Sequence, residues 1–145
     1  MGTPYSQIYN AYFLRVKDDV YDKMDAEELE AELQQLLEAA LPRFHYCKIN
    51  LEERNEDGFI VTLTPMEIQI IALLMNIVWA ESEISSIEVT RQVFRDHDFN
   101  LTSQASHLRA LIALRSELDR VVNELLQKYY MTTDREADLS GLAGG

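Results

Sequence analysis

TPMEIQIIALLMNIVWAESE, running from Thr64 to Glu83, is the most apolar stretch of a strongly acidic chain, and its reading decides the fold. Thr64-Pro65-Met66-Glu67 has the form of a capping box. Thr64 is placed as N-cap, Glu67 three residues later reaches back to it, and Pro65 takes the first helical position, where a missing N–H costs nothing. From Ile68 to Ala80 only Gln69 and Asn76 interrupt the apolar residues. A surface helix would carry a polar side, which this run lacks. A membrane span needs about 20 apolar residues, whereas this run has 13 with two amides inside it. The reading is a buried central helix over 65–83 on which the remainder packs.

The 145 residues are enough for one domain, burying roughly 68–70% of the surface that the unfolded chain exposes. The lone Cys47 forms no internal disulfide, which fits a reducing compartment. Residues 1–10 show neither a basic region nor an apolar core of a signal peptide, so secretory export is not expected. A formal charge of −12 argues against a sequence-independent grip on nucleic-acid phosphates. The acid is concentrated: between Lys17 and Glu38, nine acidic residues stand against Lys17 and Lys23, leaving −7 of that −12. Asp18, Asp19, Asp22, Glu27, Glu28 and Glu30 form its first part. Such a run is either a solvated helix face or a surface that repels nucleic acid and docks a basic partner.

On either side of the central stretch the spacing is helical. Ile8, Tyr9, Tyr12, Phe13 and Val16 predict a first amphipathic helix over Tyr5–Val16. Asp25 is the expected N-cap of a second, with Leu29, Leu33, Leu36, Leu37, Ala40, Leu41 and Phe44 as its stripe. Pro42 must kink or restart it. The stretch 47–63 is least helical, and Asp57-Gly58 with the alternation Phe59, Val61, Leu63 is either a small β-hairpin or an irregular loop. Ser85 with Glu88 offers a second capping box for a short helix to Phe94 or Arg95, broken at Asp96–Asn100. Thr102 or Ser103 then caps a long helix to Tyr130 with a seam at Leu108, Leu111, Leu118, Val122, Leu125 and Tyr129, interrupted by Arg115. Ile112, Val121 and Leu126 widen the stripe, for packing in the bundle or against a neighbouring subunit. The fold class is all-α: about five helices around the central helix 65–83, a long C-terminal helix 103–130 and an extended tail. Residues 1–130 form the domain. The small, polar tail 131–145, with Leu139 and Leu142 isolated, needs a partner to order it.

No catalytic signature is present: no P-loop, no GxSxG, no HExxH, no CxxC. His45 and Cys47 lack the further ligands that zinc takes. His97 sits in an acidic turn and His107 near the start of the last helix; Glu27/Glu28 and Glu52/Glu53 are too exposed by pattern for tuned acid chemistry. The expectation is a protein without enzymatic activity or cofactor.

Three phrases stand out instead. Pro4-Tyr5-Ser6-Gln7-Ile8-Tyr9-Asn10, Leu63-Thr64-Pro65-Met66-Glu67-Ile68 leading to Ala72-Leu73-Leu74-Met75, and Asp98-Phe99-Asn100-Leu101 followed by Ser103-Gln104-Ala105 and His107-Leu108 resemble a family of small virion proteins of tailed bacteriophages, encoded among head and neck genes. The resemblance covers Pro4 to about Tyr130, is most specific in the third phrase, and departs at Pro42 and Phe59–Leu63. It implies a head-tail connector, also called an adaptor or head-completion protein: an all-α protomer in a homo-oligomeric ring, twelvefold by family expectation, beneath the portal protein. DNA passes through without sequence-specific binding, a tail or second neck protein docks on the other side, and no membrane is involved. Its place is the virion neck, after assembly in the host cytoplasm. Tyr129, Tyr130, Met131, Asp134, Arg135, Leu139 and Leu142 are the expected portal- or subunit-docking arm. The Asp18–Glu30 acids are the expected lumen or partner face, and Trp79 and Ile84 mark the end of the central helix expected to reach a neighbour. The alternative is an acidic binding module that mimics DNA or regulates a basic partner.

Overall fold

A computed structural model describes residues 2–94 and 101–132, with side chains over 2–90 and 104–132. The described residues are mostly helical. A two-residue strand β1 (Thr3–Pro4) leads into α1 (Tyr5–Phe13), the single turn α2 (Asp19–Asp22) and α3 (Ala26–Ala40); a short strand β2 (Gly58–Phe59) precedes α4 (Pro65–Phe94) and α5 (Leu101–Met131).

α4 is the axis, and its cap has the expected reciprocal form: the Glu67 N–H donates to Thr64 Oγ1 at 3.2 Å and the Thr64 N–H to Glu67 Oε1 at 2.9 Å. Every residue from Ile70 to Ile77 is buried, because α1, α3 and α5 each pack on this helix. α1 lies along the first half of α4 in the same direction, with Thr3 beside Leu63 and the Tyr12 carbonyl accepting from Asn76 Nδ2 at 3.1 Å. α5 runs antiparallel to it. Tyr129 meets Glu67 and Arg115 meets Glu81, equal steps of about 21 Å on both helices at 1.5 Å per residue.

Among the described residues α4 is the one helix long and apolar enough to cross a membrane, and 50% of its apolar window is buried within the protein. The helix does not end at 83. No Gly or Pro interrupts Met66–Phe94, so Ser85–Glu88 lies inside one continuous 30-residue helix rather than capping a new one. A capping box starts a helix only where the chain enters from extended backbone. Likewise α5 already includes Leu101, so Thr102 and Ser103 are helical rather than caps. The last turns of α4 and the first of α5 extend past the main core, with Leu108 and Leu111 buried between them and Val89 and Ile112 exposed.

α3 follows its pattern. Asp25 Oδ1 accepts from the Glu28 N–H at 2.8 Å, and Leu33, Leu36, Leu37, Ala40 and Phe44 are buried. At Pro42 the α-helix stops and tightens into the 3-10 turn Leu41–Arg43, since proline can neither donate nor fit against the preceding helical turn.

Within the stretch 47–63 the pairing across the Asp57-Gly58 turn is minimal. Asn55 organises a tight turn, its Oδ1 accepting from the Asp57 and Gly58 N–H groups and its own N–H donating to the Gly58 carbonyl, and one bridge joins Arg54 to Phe59. The strand partner of Gly58–Phe59 is Thr3–Pro4, antiparallel, with Thr3 opposite Phe59. Glycine permits that approach: a Cβ on Gly58 would stand 2.2 Å from the Thr3 carbonyl oxygen, and one on Gly2 2.0 Å from that of Phe59. Thr3 adds a side-chain knot, its Oγ1 accepting from the Leu63 N–H at 2.8 Å and donating to the Val61 carbonyl at 3.3 Å.

Candidate functional site

The described residues fall into a locked interior and two contrasting outer surfaces. Within the interior, Glu67 is fully buried. Beyond its cap bond it accepts at Oε2 from the Tyr129 hydroxyl at 2.6 Å. That hydroxyl in turn accepts from the Lys48 N–H at 2.9 Å and lies 3.7 Å from Cys47 Sγ. Burial, with the hydrogen bond to Glu67, pushes the Tyr129 phenol well above its usual range. Tyr129 therefore belongs to the core and ties α4, α5 and the 47–63 segment together; the expected docking arm starts after it. Tyr12 and Tyr21 share a 2.7 Å hydroxyl bond under α2, and desolvation raises both phenols.

Arg115, the polar break in the α5 seam, has a structural purpose. Its guanidinium holds Glu81 Oε2 at 2.7 Å while Arg43 holds Oε1 at 2.5 Å. One carboxylate thus clamps α4 to α5 and to the turn after α3. The two guanidiniums, Arg43 first, hold the Glu81 carboxyl below its usual value. Two residues on, Glu83 is raised by burial and by Asp18, partly offset by His107.

The acidic surface lies on α2 and the first turns of α3. Asp18 caps α2 through the Val20 N–H at 3.1 Å and accepts from Trp79 Nε1 at 3.3 Å, so it is tied to α4. Trp79 is thereby half-buried under α2 and is not the exposed end of the central helix. Asp19, Asp22, Glu27, Glu28 and Glu30 are exposed, and none of them enters an ion pair among the described residues.

The second surface is aromatic and surrounds the end of α5. Tyr46 is 87% exposed, Met131 80% and Tyr130 42%. Tyr46 and Tyr130 meet edge to face at 6.2 Å, and the Tyr130 hydroxyl donates to the His45 carbonyl at 2.5 Å. Tyr46 has φ 59°, the one non-glycine residue in the left-handed region among those described. A bulky side chain seldom adopts that conformation, because Cβ crowds the following carbonyl. Lys48 lies over the Tyr129 ring, 4.8 Å from its centroid, and donates to the Thr132 carbonyl; Lys128 and His45 are exposed nearby in sequence. This surface was only half legible. Tyr130 and Met131 follow from their place after the last core residue, whereas the contribution of Tyr46 carries no local sequence signal.

An open groove of about 900 Å³ runs between α1 and the start of α4, lined by Asn10, Leu14, Arg15, Pro65, Ile68 and Ala72 among others. Its chemistry is apolar, with amides and one guanidinium at the edge. No group of three His, Cys, Asp or Glu among the described residues is placed to hold a metal ion. Of the remaining expected site residues, Asp98, Phe99, Asn100, Asp134, Arg135, Leu139 and Leu142 lie outside the described residues. Ser103 lies in the first turn of α5. Gln104 is half-buried with its Oε1 unbonded, and His107 is exposed. No family model matches the chain, and neither a curated protein nor a solved structure does.

Proposed function

We propose that this chain is a structural virion protein, a connector or adaptor between the portal and the tail or next neck component of a tailed phage. It acts by assembly rather than by catalysis, takes no cofactor, and occupies the virion neck as a ring that continues the DNA channel. The observation that carries this reading is the resemblance of the three phrases. The fold supports it by making two of them one unit: Pro4–Asn10 and Leu63–Met75 are the N-terminal segment and α1 packed against the start of α4. Exposed carboxylates on α2 and α3 suit either a wall past which DNA slides, since like charge leaves the polyanion nothing to grip, or a face that meets a partner.

The test is head-to-tail joining. Removing residues 133–145 leaves the α5 core contact of Tyr129 in place, so the shortened protein is expected to fold and to join portals poorly. Joining equal to that of the full chain would sink the arm, and absence of any binding of the full chain to portal would sink the reading. An acidic module that regulates a basic partner is the competing reading, favoured by the same unpaired carboxylates; it predicts binding to a cationic protein that weakens steeply with salt and no portal binding.

A further inference from the structure

We infer that the aromatic surface at Tyr46, Tyr130 and Met131 is the docking face for the acidic α2–α3 surface of a second copy of this chain, in head-to-tail contact. The inference rests on the ring reading above and names the two faces that such a ring requires.

The placement of the two surfaces carries it. They lie at opposite ends of α3: Asp19, Asp22, Glu27, Glu28 and Glu30 precede or form its first turns, and Tyr46 follows its last, after the Leu41–Arg43 turn. Along the 15 residues of α3 that separation is about 22 Å. A patch and its complement at opposite ends of one protomer cannot satisfy each other within a chain. They can do so only between copies, in a heterologous contact that propagates and closes if the rotation allows.

The chemistry of the faces is complementary. Beside the aromatic face stand exposed Lys48, which reaches the Thr132 carbonyl, and exposed Lys128, one helical turn before Thr132, in a chain with only 13 Lys and Arg against 25 Asp and Glu. The opposite face offers five exposed carboxylates without an intramolecular ion pair among the described residues. Tyrosine rings in edge-to-face contact, one of them fixed by its hydroxyl bond to the His45 carbonyl, give rigid, amphipathic area of the kind that anchors interfaces. Tyr46 is held at φ 59° with its side chain in solvent. Glycine would adopt that backbone without the steric cost; within the protomer the tyrosine ring meets Tyr130 and His45 yet leaves most of its surface in solvent, and contact with a second copy covers it.

Sedimentation of the full chain at micromolar concentration tests this with three variants. Tyr46→Gly is expected to keep or raise the melting temperature while weakening self-association by at least about tenfold, the loss typical of an interface anchor. Lys48→Glu/Lys128→Glu and Asp22→Lys/Glu27→Lys/Glu28→Lys/Glu30→Lys are each expected to stay small alone, because each makes its two contact faces alike in charge. Mixed one to one they are expected to regain the parental mass as alternating assemblies, and raising salt from about 0.05 to about 0.5 M is expected to loosen the parental assembly. A parental chain that never associates, a Tyr46→Gly chain that associates like the parent, or a mixture no larger than its parts would each overturn the inference. Portal binding by the parent keeps the two questions apart. If the parent binds portal and Tyr46→Gly binds in the same copy number, this interface falls and the connector reading stands; if the parent binds no portal, the connector reading falls while the mixture still judges the interface.

Discussion

Replacing Tyr129 by phenylalanine removes one oxygen from the place where three segments meet. In the parent that hydroxyl donates to buried Glu67 Oε2 at 2.6 Å and accepts from the Lys48 N–H at 2.9 Å, while the ring stacks edge to face on Phe44 at 5.3 Å. The ring contact survives the substitution, so the effect isolates the hydroxyl. Glu67 has no solvent exposure, and an acceptor left short of a donor in such a place costs about 1–3 kcal/mol. The Lys48 N–H is only part-buried, so water replaces much of what it loses. The sum is about 2–3 kcal/mol. For a domain of this size, at about 3 °C per kcal/mol, the melting temperature should fall by about 6–9 °C. Urea unfolding of Tyr129→Phe, Glu67→Gln and the double variant would measure it, with an expected coupling of about 1–2 kcal/mol between the two sites. Glutamine keeps the capping-box acceptor, so the cycle reads the Tyr129 contact rather than the cap. A Tyr129→Phe protein within about 0.5 kcal/mol of the parent, the range of ordinary surface changes, would refute the claim that this couple ties the C-terminal helix to the core.

Other outcomes follow from single contacts. Asp25→Ala removes the acceptor for the Glu28 N–H and should lower stability by about 1 kcal/mol without changing the urea m-value. Gly58→Ala puts a methyl 2.2 Å from the Thr3 carbonyl oxygen; it should cost about 1–3 kcal/mol and speed amide exchange at Leu63, whose N–H bonds to Thr3. The Glu81 carboxyl is held below its usual 4.5, first by the Arg43 hydrogen bond and then by Arg115. Its folded pKa is depressed, so the stability it adds over Glu81→Gln should be constant from neutral pH to about 5 and shrink as pH falls below that through the folded value. A difference that instead grows on acidification would contradict the clamp. For function, the chain without residues 133–145 should give a near-parental helical spectrum with defective head-to-tail joining, scored as infectious particles assembled from purified heads and tails.

The all-helical architecture was legible because its signals are local. The Thr64–Glu67 box, the Asp25 cap and the stripe Leu33, Leu36, Leu37, Ala40 each act within one or two helical turns, where spacing along the chain is spacing in space. The same locality produced the false start at Ser85: a motif that starts helices after extended backbone says nothing about whether the chain before it is already helical. The acidic surface was legible too, since runs of Asp and Glu between sparse apolar positions have nowhere to be but outside.

What tertiary structure alone decided lies between residues far apart in sequence. Gly58–Phe59 pairs with Thr3–Pro4, more than fifty residues away, because two glycines let the backbones approach. Arg115 breaks its seam to share Glu81 with Arg43, and Glu67, legible as a cap, is also the buried partner of Tyr129. Tyr46 joins Tyr130 at the end of α5 only because the turn at Pro42 brings the chain there. The sequence by itself determined which segments are helical and which faces are apolar or acidic, since those follow from residue type and period. Which side chains meet across helices, and so which surfaces the protein presents to a partner, was decided by the packing of α1, α3 and α5 on α4, because a contact between distant residues leaves no periodic trace along the chain.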